Sequence, residues 1–292
     1  MSRALVVSHP LAPTAQRLAG RVAAQLGTGG WEAVPIEDDD GGDFAAAVAL
    51  GGDGTFLRAA ERVRGRAIPI LGVNVGHMGF LQQADVEDLD TALARLMAGD
   101  YTVERRATVR AEVTGPNGHK SQGWAVNEAT LEKTMTQRMI EVEVLADGHP
   151  ISTFGCDGVV CATPTGSTGH AFSGGGPIVW PQVDAMLVVP LAAHALFVRP
   201  LIVAPSTVVT IEILPTSRSE GEVSFDGRRS LPVPVGGRVD VQHSSEPVQL
   251  IRFEPEPFAD RLVRKFALPV SGWRKGEAWD RGTGKAGGAD PC

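Results

Sequence analysis

Short apolar runs alternate with stretches of helical periodicity through the first hundred residues of the chain. Leu18, Val22 and Leu26, for example, recur at the spacing that places side chains on one face of a helix. The pattern predicts strands at residues 4–8, 45–50 and 68–73, and helices at residues 15–26, 56–63 and 85–97. Strands that alternate with helices are typical of an open parallel sheet, so we expect a Rossmann-like α/β region with ligands at the carboxyl ends of its strands.

The pattern changes near residue 101, where strand-like segments follow one another without helices between them. Gly, Pro or Asp separates the segments, which predict strands at residues 102–113, 124–131, 139–145, 158–162, 187–189, 207–214 and 221–225. Helical spacing returns at residues 259–266. We therefore expect an α/β plus all-β fold, with a β-sandwich-like C-terminal domain and a last helix that returns to the first domain.

These elements predict two domains and a tail. We assign residues 1–100 together with residues 258–280 to the α/β domain, and residues 101–257 to the β-rich domain. Residues 281–292 are rich in glycine and polar residues, so we expect a disordered tail there.

The composition fits a folded protein and narrows the choice of partners. With 43% hydrophobic residues in a chain of 292, there is enough apolar material for one or two cores. The formal net charge of −7 opposes binding to nucleic acid or to an anionic membrane, so a phosphate would need a local site. Three cysteines without a paired spacing, and an N-terminal apolar run too short for a signal peptide, predict a reducing cytoplasmic location.

The sequence Gly-Gly-Asp-Gly-Thr at residues 51–55 lies where a predicted strand meets a predicted helix. Gly52 and Gly54 would let the backbone approach a ligand, and the unpaired N–H groups at the helix start favour phosphate oxygens. Asp53 is an acid where anions are expected, which fits a group that accepts a proton or faces a metal. Thr55 could cap the helix. A plain strand–turn–helix, in which Asp53 only helps the capping, is the alternative.

A second polar segment, at residues 163–177, combines hydroxyl side chains and glycines with His170. Such a segment could wrap a hydroxyl-rich ligand, although the same residue types also build ordinary turns. Asn127 and Glu128 form a polar pair near a predicted strand end, where such pairs usually face solvent. Arg58, one turn into the helix after the glycine-rich motif, could hold a phosphate or be a solvated helix residue.

Together these segments resemble one family. The motifs that carry the likeness are GGDGT at 51–55, GVNVGHMGF at 72–80, NE at 127–128, DGVVCATPTGSTGH at 157–170, SGGGP at 173–177 and FDG at 225–227. In this order they resemble the NAD kinases that use ATP or polyphosphate, and residues 260–273 are similar to the closing segment of actinobacterial-type members. Diacylglycerol-kinase-like and phosphofructokinase-like enzymes share GGDG, whereas TPTGST together with the Asn-Glu pair is specific.

The resemblance implies phosphoryl transfer to the 2′-hydroxyl of the adenosine ribose of NAD, which makes NADP. In that interpretation Asp53 matches the family's general base, and Gly52 and Gly54 offer N–H groups to the donor phosphates. Mg²⁺ would arrive bound to the donor, so no dedicated metal site in the protein is expected. The likeness also implies a homodimer or homotetramer formed through the β-rich domain.

The family pattern further implies which residues bind the substrates. Asn127 and Glu128 match residues that bind a ribose of NAD. The other implied binding residues are Gly52, Gly54, Thr55, Arg58, Arg138, Asp157, Thr165, Thr168, Gly169, His170, Ala171, Ser173 and Arg228. Phe80 could offer its ring to the nicotinamide or adenine side of the dinucleotide, or it could plug the domain interface. The chain departs from the pattern twice: Gly169-His170 replaces the usual Ala-Tyr, and Gly155 replaces a basic residue whose phosphate contact Arg138 could supply.

Two other functions fit part of the pattern. A lipid or sugar kinase of the same superfamily would share GGDG but should lack the Asn-Glu pair followed by TPTGST, and a lipid kinase would need an apolar or basic membrane face. A dinucleotide sensor without turnover would keep the pocket, and the intact Asp53 argues against it.

Overall fold

Parallel strands form the centre of the N-terminal region. The computed structural model describes residues 1–9, 12–76, 79–195, 198–254 and 256–270. The strands of this region are β1 (Ser2–Ser8), β2 (Trp31–Pro35), β3 (Ala46–Leu50), β4 (Ile70–Asn74) and the short β5 (Ala84–Asp85). They pair in parallel in the order β4-β3-β1-β2, with β5 beside β4. The carboxyl ends of β3 and β4 are therefore neighbours, as the sequence predicts.

Three helices cover this sheet. Successive residues of each strand point to opposite faces of the sheet and pack in different core clusters. The helices are α1 (Pro13–Thr28), α2 (Asp53–Val63) and α3 (Leu89–Ala98). Phe56 of α2 packs in one core cluster with Leu5, while Leu18 of α1 packs in another with Val6. The predicted start of the third helix at residue 85 is wrong, because β5 pairs with β4 and keeps the backbone extended there.

Residues 102–252 are almost entirely β-structure. The elements are β6 (Thr102–Thr114), β7 (Lys120–Ala125), β8 (Glu128–Lys133), β9 (Ile140–Ala146), β10 (His149–Cys156), β11 (Gly158–Ala162), α4 (His170–Ser173), β12 (Met186–Leu191), β13 (Leu201–Val203), β14 (Val209–Ile213), β15 (Gly221–Phe225), β16 (Arg229–Val233) and β17 (Arg238–Arg252). One six-stranded sheet runs in the order β13-β12-β11-β8-β15-β16 and shares a buried apolar core with β6, β9, β14 and β17. This is the sandwich-like arrangement that the sequence predicts.

The strand predicted at residues 124–131 is in fact two strands, β7 and β8. The chain leaves the ladder at Val126 and Asn127, whose backbone N–H groups donate to the Asp226 carboxylate at 2.9 and 2.7 Å. The hydrogen bonds that would continue a strand are made with a side chain instead, and this turns the chain between β7 and β8.

The long strand β17 joins the two regions. It pairs with β6 and β14 in the β-rich region, and its Leu250 pairs in parallel with Ile70 of β4. One sheet of 11 strands therefore runs from β10 at one edge to β2 at the other. Sequence periodicity misses β17 because a bulge between Ser244 and Val248 interrupts its alternation. The domain boundaries at residues 100 and 257 stay a prediction.

The chain divides into two compact units, residues 1–255 and residues 256–292, of which the second is described to residue 270. The second contains α5 (Phe258–Phe266), in which Arg261 and Arg264 pair with Glu256. This confirms the predicted helix, while its return to the first domain stays a prediction. The predicted disordered tail lies outside the described residues. No helix in the described ranges has the length and apolar character needed to cross a membrane.

Candidate active site

Asp53 stands at the carboxyl edge of the parallel sheet, in the first turn of α2. Its Oδ2 accepts a hydrogen bond from the Phe80 backbone N–H at 3.3 Å, and its Oδ1 accepts one from the Leu81 N–H at 3.1 Å. These donors belong to the segment that follows β4, the neighbour of β3. A carboxylate has about four lone-pair sites, so acceptor capacity is left for a ligand. The alternative interpretation, in which Asp53 only caps its own helix, does not fit these hydrogen bonds, because the Phe80 and Leu81 donors lie on another segment.

Two glycines shape the surroundings of this carboxylate. A Cβ on Gly79 would lie 2.3 Å from Asp53 Oδ1, and one on Gly51 would lie 2.2 Å from Thr55 Oγ1. A side chain at either position would displace a group of the turn. Gly52 and Gly54, by contrast, are exposed, and a Cβ there would meet open space. The surface beside Asp53 is thus open to a ligand's approach.

The prediction that Thr55 caps α2 is wrong. The capping position is Gly52, and the Thr55 side chain lies buried within the first turn, against Gly51. Because the first N–H groups of a helix lack acceptors within the helix, the exposed backbone at Gly52 to Gly54 can offer N–H groups to an anion.

Two motifs far apart in sequence meet at the ends of β8 and β11. The Thr163 hydroxyl donates to the Val126 carbonyl at 2.6 Å and accepts from the Gly166 N–H at 3.1 Å, and the Thr163 N–H donates to the Asn127 carbonyl at 2.8 Å. A Cβ on Gly166 would lie 2.1 Å from the Asn127 carbonyl oxygen. The backbone that carries the TPTGST sequence is thus packed directly on the Asn127-Glu128 pair.

A pair of buried carboxyl groups lies beneath this junction. Asp226 accepts from the N–H groups of Val126 and Asn127 and, at 3.4 Å, from that of Glu128. Burial raises the pKa of Asp226, while these N–H groups and Arg229 oppose the rise. Burial, helped by the Asp226 charge, raises the pKa of Glu128 to about 8 against a lowering hydrogen bond from the His170 backbone. Near neutral pH Glu128 can therefore be a hydrogen-bond donor to a polar ligand.

The polar segment after β11 is helical rather than an open loop. Thr165–Thr168 form a 3₁₀-helix and α4 follows. Gly169 and Ser173 are exposed and His170 is partly exposed, so this surface can meet a ligand. Ala171 is fully buried in an apolar core cluster, and its predicted contact with the dinucleotide stays a prediction.

The turn that carries Asp53 and the Asn127-Glu128 junction, the two halves of the candidate site, pack against the same hydrophobic core. Val126, next to Asn127, belongs to the same core cluster as Phe56 of α2, the helix that begins at Asp53. The first strand-to-helix turn and the Asn127-Glu128 junction are therefore fixed to each other through the interior.

The matches to known families follow this geometry. Residues 6–101 match the ATP-NAD kinase N-terminal domain, and residues 126–253 match the ATP-NAD kinase C-terminal domain. The chain belongs to the NAD kinase family. An NAD kinase of Thermobifida fusca is 50% identical over 282 residues, covering 93% of this chain and 85% of that protein. One of Leifsonia xyli is 55% identical over 227 residues, covering 78% and 75% respectively.

Two solved structures share the fold of this chain. The crystal structure of yeast NADH kinase complexed with NADH superposes with a TM-score of 0.84 at 21% identity, covering 95% of this chain and 90% of that one. An NAD kinase from Archaeoglobus fulgidus in complex with ATP superposes with a TM-score of 0.72 at 26% identity, covering 92% and 100%. The predicted actinobacterial-type family membership and the two-part fold are confirmed.

Two arginines expected near the substrates of an NAD kinase are engaged by protein groups. Arg58 donates to the Ser8 carbonyl at 3.0 Å and pairs with Glu37 at 2.9 Å. Arg228 pairs with Glu61 of α2 through two hydrogen bonds, at 2.8 and 3.3 Å. Either guanidinium would have to exchange these partners to hold a phosphate, so their predicted contacts stay predictions.

Asp157 and Arg138 lie at the other end of the β-rich region from the Asn127-Glu128 junction. Asp157 precedes β11 and Thr163 follows it, so these two are about 20 Å apart at a rise of about 3.3 Å per residue. Arg138 lines a separate cavity of about 690 Å³ together with Gly155 and His194. Within one chain, the structure does not bring Asp157 or Arg138 to the Asn127-Glu128 junction.

Sequence reasoning gave no role to Asp226, Gly79 or Gly166, although all three lie in quoted motifs. The signal for Asp226 is its place in FDG, because aspartate before glycine is typical of a turn with positive φ, and its φ is +54°. In the part of the chain that the structure describes, no group of three or more His, Cys, Asp or Glu side chains could hold a metal ion.

The raised pKa of Glu128 predicts a pH dependence of stability. Below its ordinary value of 4.5 the carboxyl is protonated in the folded and unfolded chains, and between 4.5 and about 8 only the unfolded chain ionises. This contribution to stability is therefore present at low pH and is lost as the pH rises through that window. We expect Glu128→Gln to raise the thermal unfolding midpoint by a few degrees at pH 8 and by less at pH 5.

The matched control is Glu132→Gln, which changes an exposed carboxylate on the same strand β8. Calorimetric melting of both variants across this pH range makes the comparison. A Glu128→Gln midpoint that tracks the wild type at every pH would contradict the burial of a proton at Glu128.

Proposed function

We propose that the chain phosphorylates the 2′-hydroxyl of the adenosine ribose of NAD to make NADP, with ATP or inorganic polyphosphate as donor. The observation that carries the proposal is the Asp53 carboxylate, fixed by two backbone N–H groups at an open, glycine-flanked turn. Membership of the NAD kinase family supports NAD as the molecule that accepts the phosphoryl group.

Asp53 acts as the general base in this proposal. The ribose hydroxyl must lose its proton as it attacks the terminal phosphorus, and a carboxylate within hydrogen-bond distance can accept that proton. The hydrogen bonds from Phe80 and Leu81 hold the carboxylate in one orientation, which lowers the entropic cost of aligning it with the hydroxyl. Phe80 itself is buried beside Asp53, where its ring can close the apolar side of the pocket.

Asn127, Glu128 and the segment from Thr165 to Ser173 bind the dinucleotide in this proposal. Asn127 is partly exposed, and protonated Glu128 can donate to a sugar hydroxyl. In this proposal the helical segment supplies the hydroxyls of Thr165 and Thr168 and the imidazole of His170, which would stack on a base in place of a tyrosine. A surface rich in short polar groups is suited to ribose recognition.

The phosphoryl donor enters as its Mg²⁺ complex, and that ion neutralises charge on the transferring group. Backbone N–H groups at Gly52 and Gly54 are the groups of this chain best suited to receive the donor's phosphates. The family descriptions and the ATP complex of the Archaeoglobus fulgidus relative support ATP, and polyphosphate is the alternative.

A homo-oligomer would give Asp157 and Arg138 a role. Both lie away from the Asn127-Glu128 junction, and in this proposal they contact a dinucleotide bound to a second copy. We therefore propose a homodimer or homotetramer with substrate contacts across its interface.

The cytoplasmic location stays a prediction based on the cysteines, of which Cys156 and Cys161 are buried free thiols.

A donor-exchange assay tests the proposed function. The purified chain is mixed with NAD and Mg²⁺ and then with ATP or polyphosphate, and NADP is detected with an NADP-specific dehydrogenase. We expect NADP only when a donor is present, and none when Mg²⁺ is removed by a chelator. NAD binding without NADP from either donor would identify a dinucleotide sensor and contradict the proposal.

A further inference from the structure

Two buried arginines and the partly exposed carboxylate between them form an ion cluster that contacts both the segment after β4 and Thr165. Glu104 and Arg106 lie on β6, and Arg252 lies near the end of β17. Glu104 Oε1 pairs with Arg106 Nη2 at 3.0 Å, and its Oε2 pairs with Arg252 Nε at 2.6 Å. In β6 and β17, Glu104 opposes Leu250, so residues two positions away on either strand share one face of the sheet. The carboxylate thus bridges two guanidinium groups.

Each arginine of this ion cluster also binds one half of the site. Arg106 Nη1 donates to the Thr165 hydroxyl at 3.3 Å. Arg252 Nη1 donates to the Gln82 carbonyl at 3.3 Å and to Gln83 Oε1 at 3.2 Å. Gln82 directly follows Leu81, whose N–H holds the Asp53 carboxylate. Through the peptide bond between Leu81 and Gln82, these hydrogen bonds and ion pairs connect the backbone that holds Asp53 to the segment that begins at Thr165.

We propose that Glu104, Arg106 and Arg252 are positioning residues that set the distance between the Asp53 carboxylate and the ribose held at Thr165. The proposal rests on the proposed function, since it concerns the same phosphoryl transfer. None of the three is placed in contact with a substrate. They act by fixing the segment after β4 and the segment that begins at Thr165 relative to each other.

Burial of the two arginines limits their freedom, while the Glu104 side chain between them is 26% exposed. Arg106 is 5% exposed and Arg252 is 8% exposed, so water cannot replace a lost partner at low cost. Burial alone would raise the pKa of Glu104, but the two arginines outweigh it and the pKa is lowered, so the bridge stays charged at neutral pH. Each guanidinium is planar and holds its partners in a fixed geometry, which a flexible ammonium would not do.

Glu104→Gln tests the proposal, because it keeps the size of the side chain and removes the charge that both arginines share. We expect kcat to fall about 10- to 100-fold, since a small misplacement of reacting groups has effects of that size. The Kd for NAD, measured by calorimetry, should stay within about threefold of the wild type, because the ribose contacts themselves remain. Glu104→Asp should recover part of kcat.

The control is Glu112→Gln on the same strand, which breaks an exposed ion pair with Lys120 and should leave kcat unchanged. If Glu104→Gln does not fold, Arg106→Lys is measured instead, since a lysine cannot hold Glu104 and Thr165 in the same geometry. A wild-type kcat per folded molecule in these variants, with only a lower melting point, overturns the positioning role. A wild-type chain that makes no NADP overturns the proposed function, and this inference with it.

Discussion

Asp53→Asn is expected to lower kcat about 10²- to 10⁴-fold, the usual contribution of a general base. Asparagine has nearly the same shape, and its carbonyl oxygen can still accept from the Phe80 or the Leu81 N–H, but its amide cannot take a proton from the ribose hydroxyl. We expect NAD binding to be largely kept, because Asn127, Glu128 and Thr165 are unchanged. Steady-state NADP formation and calorimetric NAD binding measure the two effects separately.

The control is Asp88→Asn, which removes an exposed carboxylate at the start of α3 that makes no capping hydrogen bond. It tests whether the loss of a negative charge at a helix start matters by itself, a contribution of about 0.3–1 kcal/mol to stability. We expect wild-type turnover from this variant. Near-normal turnover in Asp53→Asn would remove Asp53 from the mechanism.

Gly166→Ala is expected to destabilise the folded chain by about 1–3 kcal/mol or more, the cost of forcing atoms into a packed interior. The new Cβ would lie 2.1 Å from the Asn127 carbonyl oxygen, and backbone cannot rotate away as a side chain can. Since this contact joins the TPTGST backbone to the Asn127-Glu128 pair, NAD affinity should fall at least tenfold, about 1.4 kcal/mol, in the fraction that folds. Denaturant unfolding and calorimetric NAD binding are the measurements.

Gly20→Ala is the matched control for this substitution. Gly20 lies within α1, and a Cβ there would meet nothing within 4 Å. Alanine in a helix interior should raise stability by about 0.5–1 kcal/mol. If Gly166→Ala melts and binds NAD like the wild type, the close packing of the two motifs is not what holds the site together.

Most of the strands that sequence periodicity misses share a physical cause. Four of them, β2, β10, β13 and β16, are the strands at the ends of the two sheets. An edge strand pairs on one side only and is less buried, so its apolar alternation is weak. The parallel strands β1, β3 and β4 are buried on both faces and read as continuous apolar runs, which is why they are predictable.

Some contacts of the candidate site are predictable from the sequence, and others are not. Asp53 and the segment after β4 could be placed together from sequence, because the carboxyl ends of neighbouring parallel strands meet at one edge. The Glu104–Arg252 pair could not, since its members are separated by 148 positions and meet only through the register of β6 and β17. The three N–H groups that bind Asp226 are likewise about a hundred positions from it, and no local pattern signals them.

The central claim is that the Asp53 carboxylate touches the hydroxyl that becomes phosphorylated. The most direct measurement is a crystal structure of the wild-type chain with NAD and a non-hydrolysable ATP analogue. We expect an Asp53 carboxylate oxygen within about 2.6–3.2 Å of the adenosine ribose 2′-oxygen. A fully occupied dinucleotide would contradict this claim if its 2′-hydroxyl faced a different proton-accepting side chain while Asp53 was bound only to the Phe80 and Leu81 N–H groups.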